Sequence, residues 1–289
     1  MKFGLLISAA ALFGAASLWM LLAEPPPRIP PGWSWQSSFV GTLTPPDPQT
    51  GELPEEDVLA VYKRTIAIES GENRPQSIVL EDELVIRDPI TGEVTWRYTV
   101  HPKVDPATGR HLEPQGTEDR IVFPRGVERR PYRLRMNYIE GVPLSFRGEE
   151  TVEGLDVWRF GYKGRGEYTD SYAGTEDYAG VPVEPGQEIR CADDQFTVFV
   201  WVEPLTGEVA KMAEHCLSGD YVFDIATGER GAAVLRWGGE TAGIDVLRRV
   251  EWVRGERRRL LLRRYMPFVL GGLALALGAA AVLVRRRPA

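Results

Sequence analysis

The chain has 289 residues, a formal net charge of −7, and 43% hydrophobic against 26% charged residues, enough for a sizeable core in one or two domains. Charge is segregated along it. No Asp or Glu precedes Glu24 or follows Glu256, and with Lys2 and the terminal Arg285, Arg286 and Arg287 set aside the middle carries 41 acids against 30 Lys and Arg. That balance argues against a nucleic-acid partner, and three histidines argue against a histidine-rich metal enzyme.

Phe3 to Ala23 is uncharged over 21 residues, about what a helix needs to cross a bilayer, and Glu24-Pro25-Pro26-Pro27 stops it. Residues 1–23 are therefore expected to be a transmembrane anchor or uncleaved signal. A cleaved signal is the alternative, although Leu21 is a poor small residue for a cleavage site after Ala23. Residues 24–58 are rich in proline and short of periodic pattern, so a spacer and the start of the fold are expected there. Trp33 and Trp35 belong either to the membrane interface or to the first strand.

An acid-x-x-Thr-Gly pattern then recurs five times, at Asp47–Gly51, Asp88–Gly92, Asp105–Gly109, Glu203–Gly207 and Asp224–Gly228. The acid caps local amides and glycine takes the left-handed position, which is the chemistry of a hairpin turn. The flanks agree. Glu83–Arg87 leads into one turn, and Val94, Trp96, Tyr98 and Val100 alternate with polar residues after it. Further strands are expected at residues 61–68, 77–80, 121–123, 145–150, 155–162, 220–224, 232–237 and 244–252, with a long mobile loop at 165–189. Together these predict a mainly β body over residues 59–256, a curved antiparallel sheet or sandwich built from hairpins, flanked by N- and C-terminal transmembrane helices.

The hairpin over residues 195–213 differs from the rest. Phe196, Val198, Val200 and Val202 alternate with Thr197, Phe199 and Trp201, so both faces are largely apolar and both need covering, by a second layer or by a lipid-like ligand. Cys191 and Cys216 flank it. With the turn centred near 205–206 they fall close to opposite one another, and a disulfide there would contribute roughly 3–4 kcal/mol in the chain-entropy model. Two unrelated buried thiols are the alternative.

Residues 257–264 form a basic juxtamembrane segment containing Arg257, Arg258 and Arg259. Tyr265 to Val284 is uncharged over 20 residues and reads as a transmembrane helix, with 285–289 as a basic cytoplasmic tail. Lys2 and the terminal arginines favour the cytoplasmic side, which puts the middle of the chain outside. Arg254, Arg257, Arg258, Arg259, Arg263 and Arg264 crowd the opposite flank, where they suit anionic headgroups or polyanionic wall polymers.

No phosphate loop, His-Glu-x-x-His, Gly-x-Ser-x-Gly or Cys-x-x-Cys is present, and His101, His111 and His215 stand apart from one another. No catalytic residue, cofactor or metal site is expected. The stretch from Val122 to Phe160 is the densest in aromatic and basic residues. Tyr132, Tyr138, Trp158 and Phe160, with Phe199 and Trp201, are candidates to line a groove for an apolar ligand with one polar end. Arg125, Arg129 and Arg130 are candidates for an anionic headgroup. An ordinary sheet core would use the same aromatics.

Phe123 to Phe160, the two terminal apolar segments and the Val202-Glu203-Pro204-x-Thr-Gly207 turn resemble the PorA-like family of actinobacterial-type envelope proteins, largely a domain of unknown function. The resemblance covers nearly the whole chain, and the family pattern has an acid near Asn137, where this chain has Asn. It implies an extracytoplasmic domain between terminal hydrophobic segments, tied in some relatives to glycolipid handling. A literal porin conflicts with two uncharged spans and no outward apolar belt. The leading expectation is a membrane-tethered protein that binds or presents an envelope lipid or glycolipid, or modulates its transport. A non-enzymatic scaffold docking a transporter or cell-wall synthase is the alternative, ahead of a porin or a carboxylate-based hydrolase.

Overall fold

The computed structural model describes residues 8, 10–18, 27–69, 77–113, 118–135, 141–167 and 184–285. The chain divides into a body, Pro27–Val253, and a second unit made up of the chain's two ends.

The body is mainly β. Its strands are β1 (Ser34–Thr44), β2 (Leu59–Ile68), β3 (Ile78–Arg87), β4 (Val94–Val100), β5 (Lys103–Val104), β6 (Tyr132–Leu134), β7 (Val142–Val152), β8 (Leu155–Glu167), β9 (Gln187–Glu203), β10 (Glu208–Asp224) and β11 (Arg230–Thr241). They form one antiparallel sheet in the order β4-β3-β2-β1-β11-β10-β9-β8-β7-β6, with β5 paired to β3. Isolated bridges at Val104–His111, Arg110–Arg120 and Arg120–Leu134 run from β5 to β6, so residues 103–134 stitch together the two ends of the open sheet. The sheet curves around a core that includes Phe39, Leu84, Phe123, Tyr132, Phe160, Val198, Val200 and Trp237.

The five repeated turns share one hydrogen-bond circuit. In each, the glycine N–H donates to the backbone carbonyl of the acid four residues earlier, at 2.8–2.9 Å, and glycine φ lies between 69° and 74°. The acid's carboxylate accepts backbone amides inside the loop, as Asp88 does from Ile90 and Thr91 and Glu203 from Thr206. Those donors, Thr91 first for Asp88 and Thr227 first for Asp224, hold both carboxyls below the ordinary aspartate value.

Residues 24–58 are expected to hold a spacer and the start of the fold, and among the described residues packing against the body begins at Arg28. Arg28 is buried, donating to the Phe123 and Gly207 carbonyls at 2.7 and 2.8 Å and pairing with Glu208. β1 then lies mid-sheet between β2 and β11. Its side chains alternate, with Trp35, Ser37 and Phe39 on one face, but small polar residues mask the apolar rhythm.

Residues 244–252, expected as a strand, belong instead to a helix, Gly243–Arg285. Val246, Val250 and Val253 recur at spacings of four and three, which puts them on one helical face. That face packs on Leu155, Val157, Ala210 and Trp201. The second apolar face of the β9–β10 hairpin therefore carries a second protein layer there. Residues 121–123 are loop, and the predicted strands at 77–80 and 83–87 are one strand, β3.

The helix is long and apolar enough to cross a membrane, and no other helix among the described residues is. Residues 10–18 are helical, and the rest of the expected N-terminal span lies almost wholly outside the described residues.

Candidate functional site

The five described groove candidates divide between the two faces of the sheet and do not line one groove. In β8 and β9, Trp158 pairs with Val202 and Phe160 with Val200, whereas Arg159 pairs with Trp201 and Gly161 with Phe199. Directly paired residues project to the same side of a sheet, so Trp158 and Phe160 occupy one face while Phe199 and Trp201 occupy the other. Tyr132 and Phe160 are fully enclosed, with Phe123 5.3 and 5.4 Å from their rings, and they are core residues, not groove lining. Trp201 donates from Nε1 to Glu150 at 2.6 Å beneath the helix. Tyr138 lies outside the described residues, as do residues 168–183 of the expected loop.

The basic candidates are already engaged. Arg129 pairs with Glu149 and lies 5.1 Å over both Phe146 and Trp158. Arg130 pairs with Glu128 at 3.0 Å and covers Tyr132. Arg125 sits half-buried in the loop before β6, and it too has a partner. In the second unit, Arg257 and Arg258 line an open apolar hollow with Leu261 and Tyr265, and Arg259 pairs with Glu256. Cys191 and Cys216 are paired at disulfide-bonding distance, fully buried, with Cα atoms 6.0 Å apart. They are not directly opposite. Cys216 faces Phe196 and Cys191 faces Asp220, across a bulge in both strands that brings the two sulfurs together.

Among the described residues the body holds a large open cleft, and different residues build it. It has a volume of about 730 Å³ and is lined by Trp33, Trp35 and Trp252 together with Lys63, Arg248 and Arg249. Three elements converge to make it: the start of β1, β2 and the first turns of the C-terminal helix. Asp245 anchors the helix to the sheet, accepting the Ser38 N–H at 2.6 Å, while the Ala242 N–H donates to the Ser38 carbonyl at 2.8 Å. The other Asp245 oxygen accepts from Arg248 at 3.2 Å. Asp245, the cleft's only acid among the described residues, is thereby committed to protein partners.

Arg249 is the distinctive group. Its guanidinium lies 4.5 Å from the Trp35 ring and 5.8 Å from that of Trp252, a stacked arrangement. Its Nη2 is buried with no hydrogen-bond partner among the described residues. Trp252 is 41% exposed and presents its ring to the cleft. Chemically the arrangement offers flat apolar faces beside concentrated positive charge, in a body whose overall charge is negative.

Sequence reasoning missed this site because its residues come from three distant segments. The available signals were the Trp33-x-Trp35 pair and two adjacent arginines at the helix start, Arg248 away from Val246 and Val250 and Arg249 at the edge of the Val246 and Val253 face. Among known proteins, no protein-family model and no curated sequence matches this chain.

Proposed function

We propose that this protein is a membrane-tethered extracytoplasmic module that binds or presents the polar end of an envelope lipid or glycolipid, or modulates its transport. The observation that carries the reading is the tryptophan and arginine cleft, four of whose residues belong to the helix that continues into a segment apolar enough for a bilayer. A tethered cleft of this kind suits a headgroup with an apolar ring face and a polar rim. External placement of the body is supported by the terminal Arg285–Arg287 and by a cysteine pair suited to an oxidising compartment. The PorA-like resemblance of Phe123–Phe160 points the same way.

The test is to purify the full chain in mild detergent, extract it, and identify co-purifying lipids by mass spectrometry. One lipid class should be enriched over a control single-span protein, and Trp252→Ala should deplete it several-fold. Recovery of no enriched lipid from either protein would overturn the reading and leave the scaffold for a transporter or wall synthase.

A further inference from the structure

Resting on that reading, we propose that the cleft selects an anionic saccharide: a sugar ring bearing phosphate or carboxylate, with its ring face on tryptophan and its anion on Arg249. Four observations lead there. The cleft has three cations against Asp245, and Asp245 already accepts the Ser38 N–H and Arg248. Glu208 and Asp245 both act on Arg249, while Lys63 and Arg248 are exposed, so a neutral guest would gain nothing from these two solvated cations.

Arg249 supplies the second. Its Nη2 has no acceptor among the described residues, and an anionic oxygen in the cleft gains a charge-assisted hydrogen bond from the guanidinium that lines it. Stacking on Trp35 holds the guanidinium plane still, so little entropy is lost when the bond forms.

Third, Trp33 and Trp252 offer broad apolar faces with polar indole edges, the counterpart of a pyranose with its C–H face and hydroxyl rim. Inorganic phosphate would use the cations but not these faces. Fourth, about 730 Å³ falls inside the ~300–1,000 Å³ range of small-molecule sites, room for more than a lone anion.

The same chemistry occurs on a lipid headgroup and on a free wall saccharide, and the experiment separates the two. The full chain in detergent micelles is titrated with glucuronate, glucose 1-phosphate, glucose and inorganic phosphate, followed by tryptophan fluorescence and saturation-transfer NMR. Both charged sugars should bind about tenfold or more tighter than glucose or phosphate, and Arg249→Gln should cost them about tenfold. Arg249→Lys should restore little, because an ammonium cannot reproduce the stacked fork.

Lys63→Gln, at an exposed position, should weaken charged sugars alone and reduce the salt dependence of their binding. Near-UV circular dichroism checks that each variant keeps its fold. Equal binding of glucose and glucuronate, or no effect of either Lys63→Gln or Trp252→Ala, would overturn the proposal. Vesicles carrying a uronic-acid glycolipid form the second arm. If free charged sugars bind and these vesicles do not, the saccharide selectivity stands while the lipid reading falls. If a lipid co-purifies yet charge gives no preference, the reverse holds.

Discussion

Gly207 and Gly51 occupy the same place in two copies of one turn, each with φ of 71°, but their surroundings differ. At Gly51 an added Cβ would meet nothing, whereas at Gly207 it would overlap the Pro124 carbonyl oxygen. Gly51→Ala should therefore cost only the left-handed backbone penalty, about 1–2 kcal/mol. Gly207→Ala should cost about 3–4 kcal/mol, because backbone must also move. Urea unfolding of the two variants checks the ordering. The turns themselves were legible from five residues each, since their bonds close locally; that two of them, at Gly109 and Gly207, are buried against other loops was not.

His111 makes a pH prediction at the same scale. Burial, reinforced by Arg135 and Arg64 and opposed by Asp119, pushes its pKa down from 6.5 to about 4, and Nε2 has no hydrogen-bond partner among the described residues. The folded state thus keeps the ring neutral while the unfolded chain binds a proton below about pH 6.5. Stability is full above that value and falls as pH drops toward 4, by about 3 kcal/mol at most. His111→Gln should flatten this part of the stability–pH curve measured by denaturant unfolding.

Elements follow two different rules here, and each decides a prediction. Alternation along β8 and β9 was readable, but which strand pairs with which, and in what register, depends on partners far along the chain. That is why Phe160 and Phe199, both aromatic strand residues, end on opposite faces. The helix start was misread for a related reason. The five residues Val246-Leu247-Arg248-Arg249-Val250 are too few to settle the period, and length and capping decide between helix and strand. Val250 and Val253, 1% and 0% exposed, seat the helix on Leu155 and Val157. Val250→Asp should destabilise the body by about 3 kcal/mol or more by burying an unpaired charge. Hydrogen exchange should then rise in Gly243–Val253 and across β8, and affinity at the cleft should fall with it.

For the whole molecule, the sidedness proposal becomes testable at a site the structure supplies. Cys191 and Cys216 are paired and fully buried, so neither reacts in the folded protein, whereas Ile90 at a turn tip is 91% exposed. Ile90→Cys should be labelled by an impermeant thiol reagent in intact cells. Labelling only after permeabilisation would place the body in the cytoplasm and overturn the extracytoplasmic reading.

The chain's apolar C-terminal segment, its hairpin turns and its β-rich character were determined by the sequence alone, because each rests on composition or on contacts within a few residues. The central place of β1, the covering of the β9–β10 hairpin by a helix, and the meeting of Trp33, Lys63 and Arg249 were decided only by tertiary structure. Each requires residues far apart in the chain to share one surface, and nothing in a local period specifies which distant segments will do so.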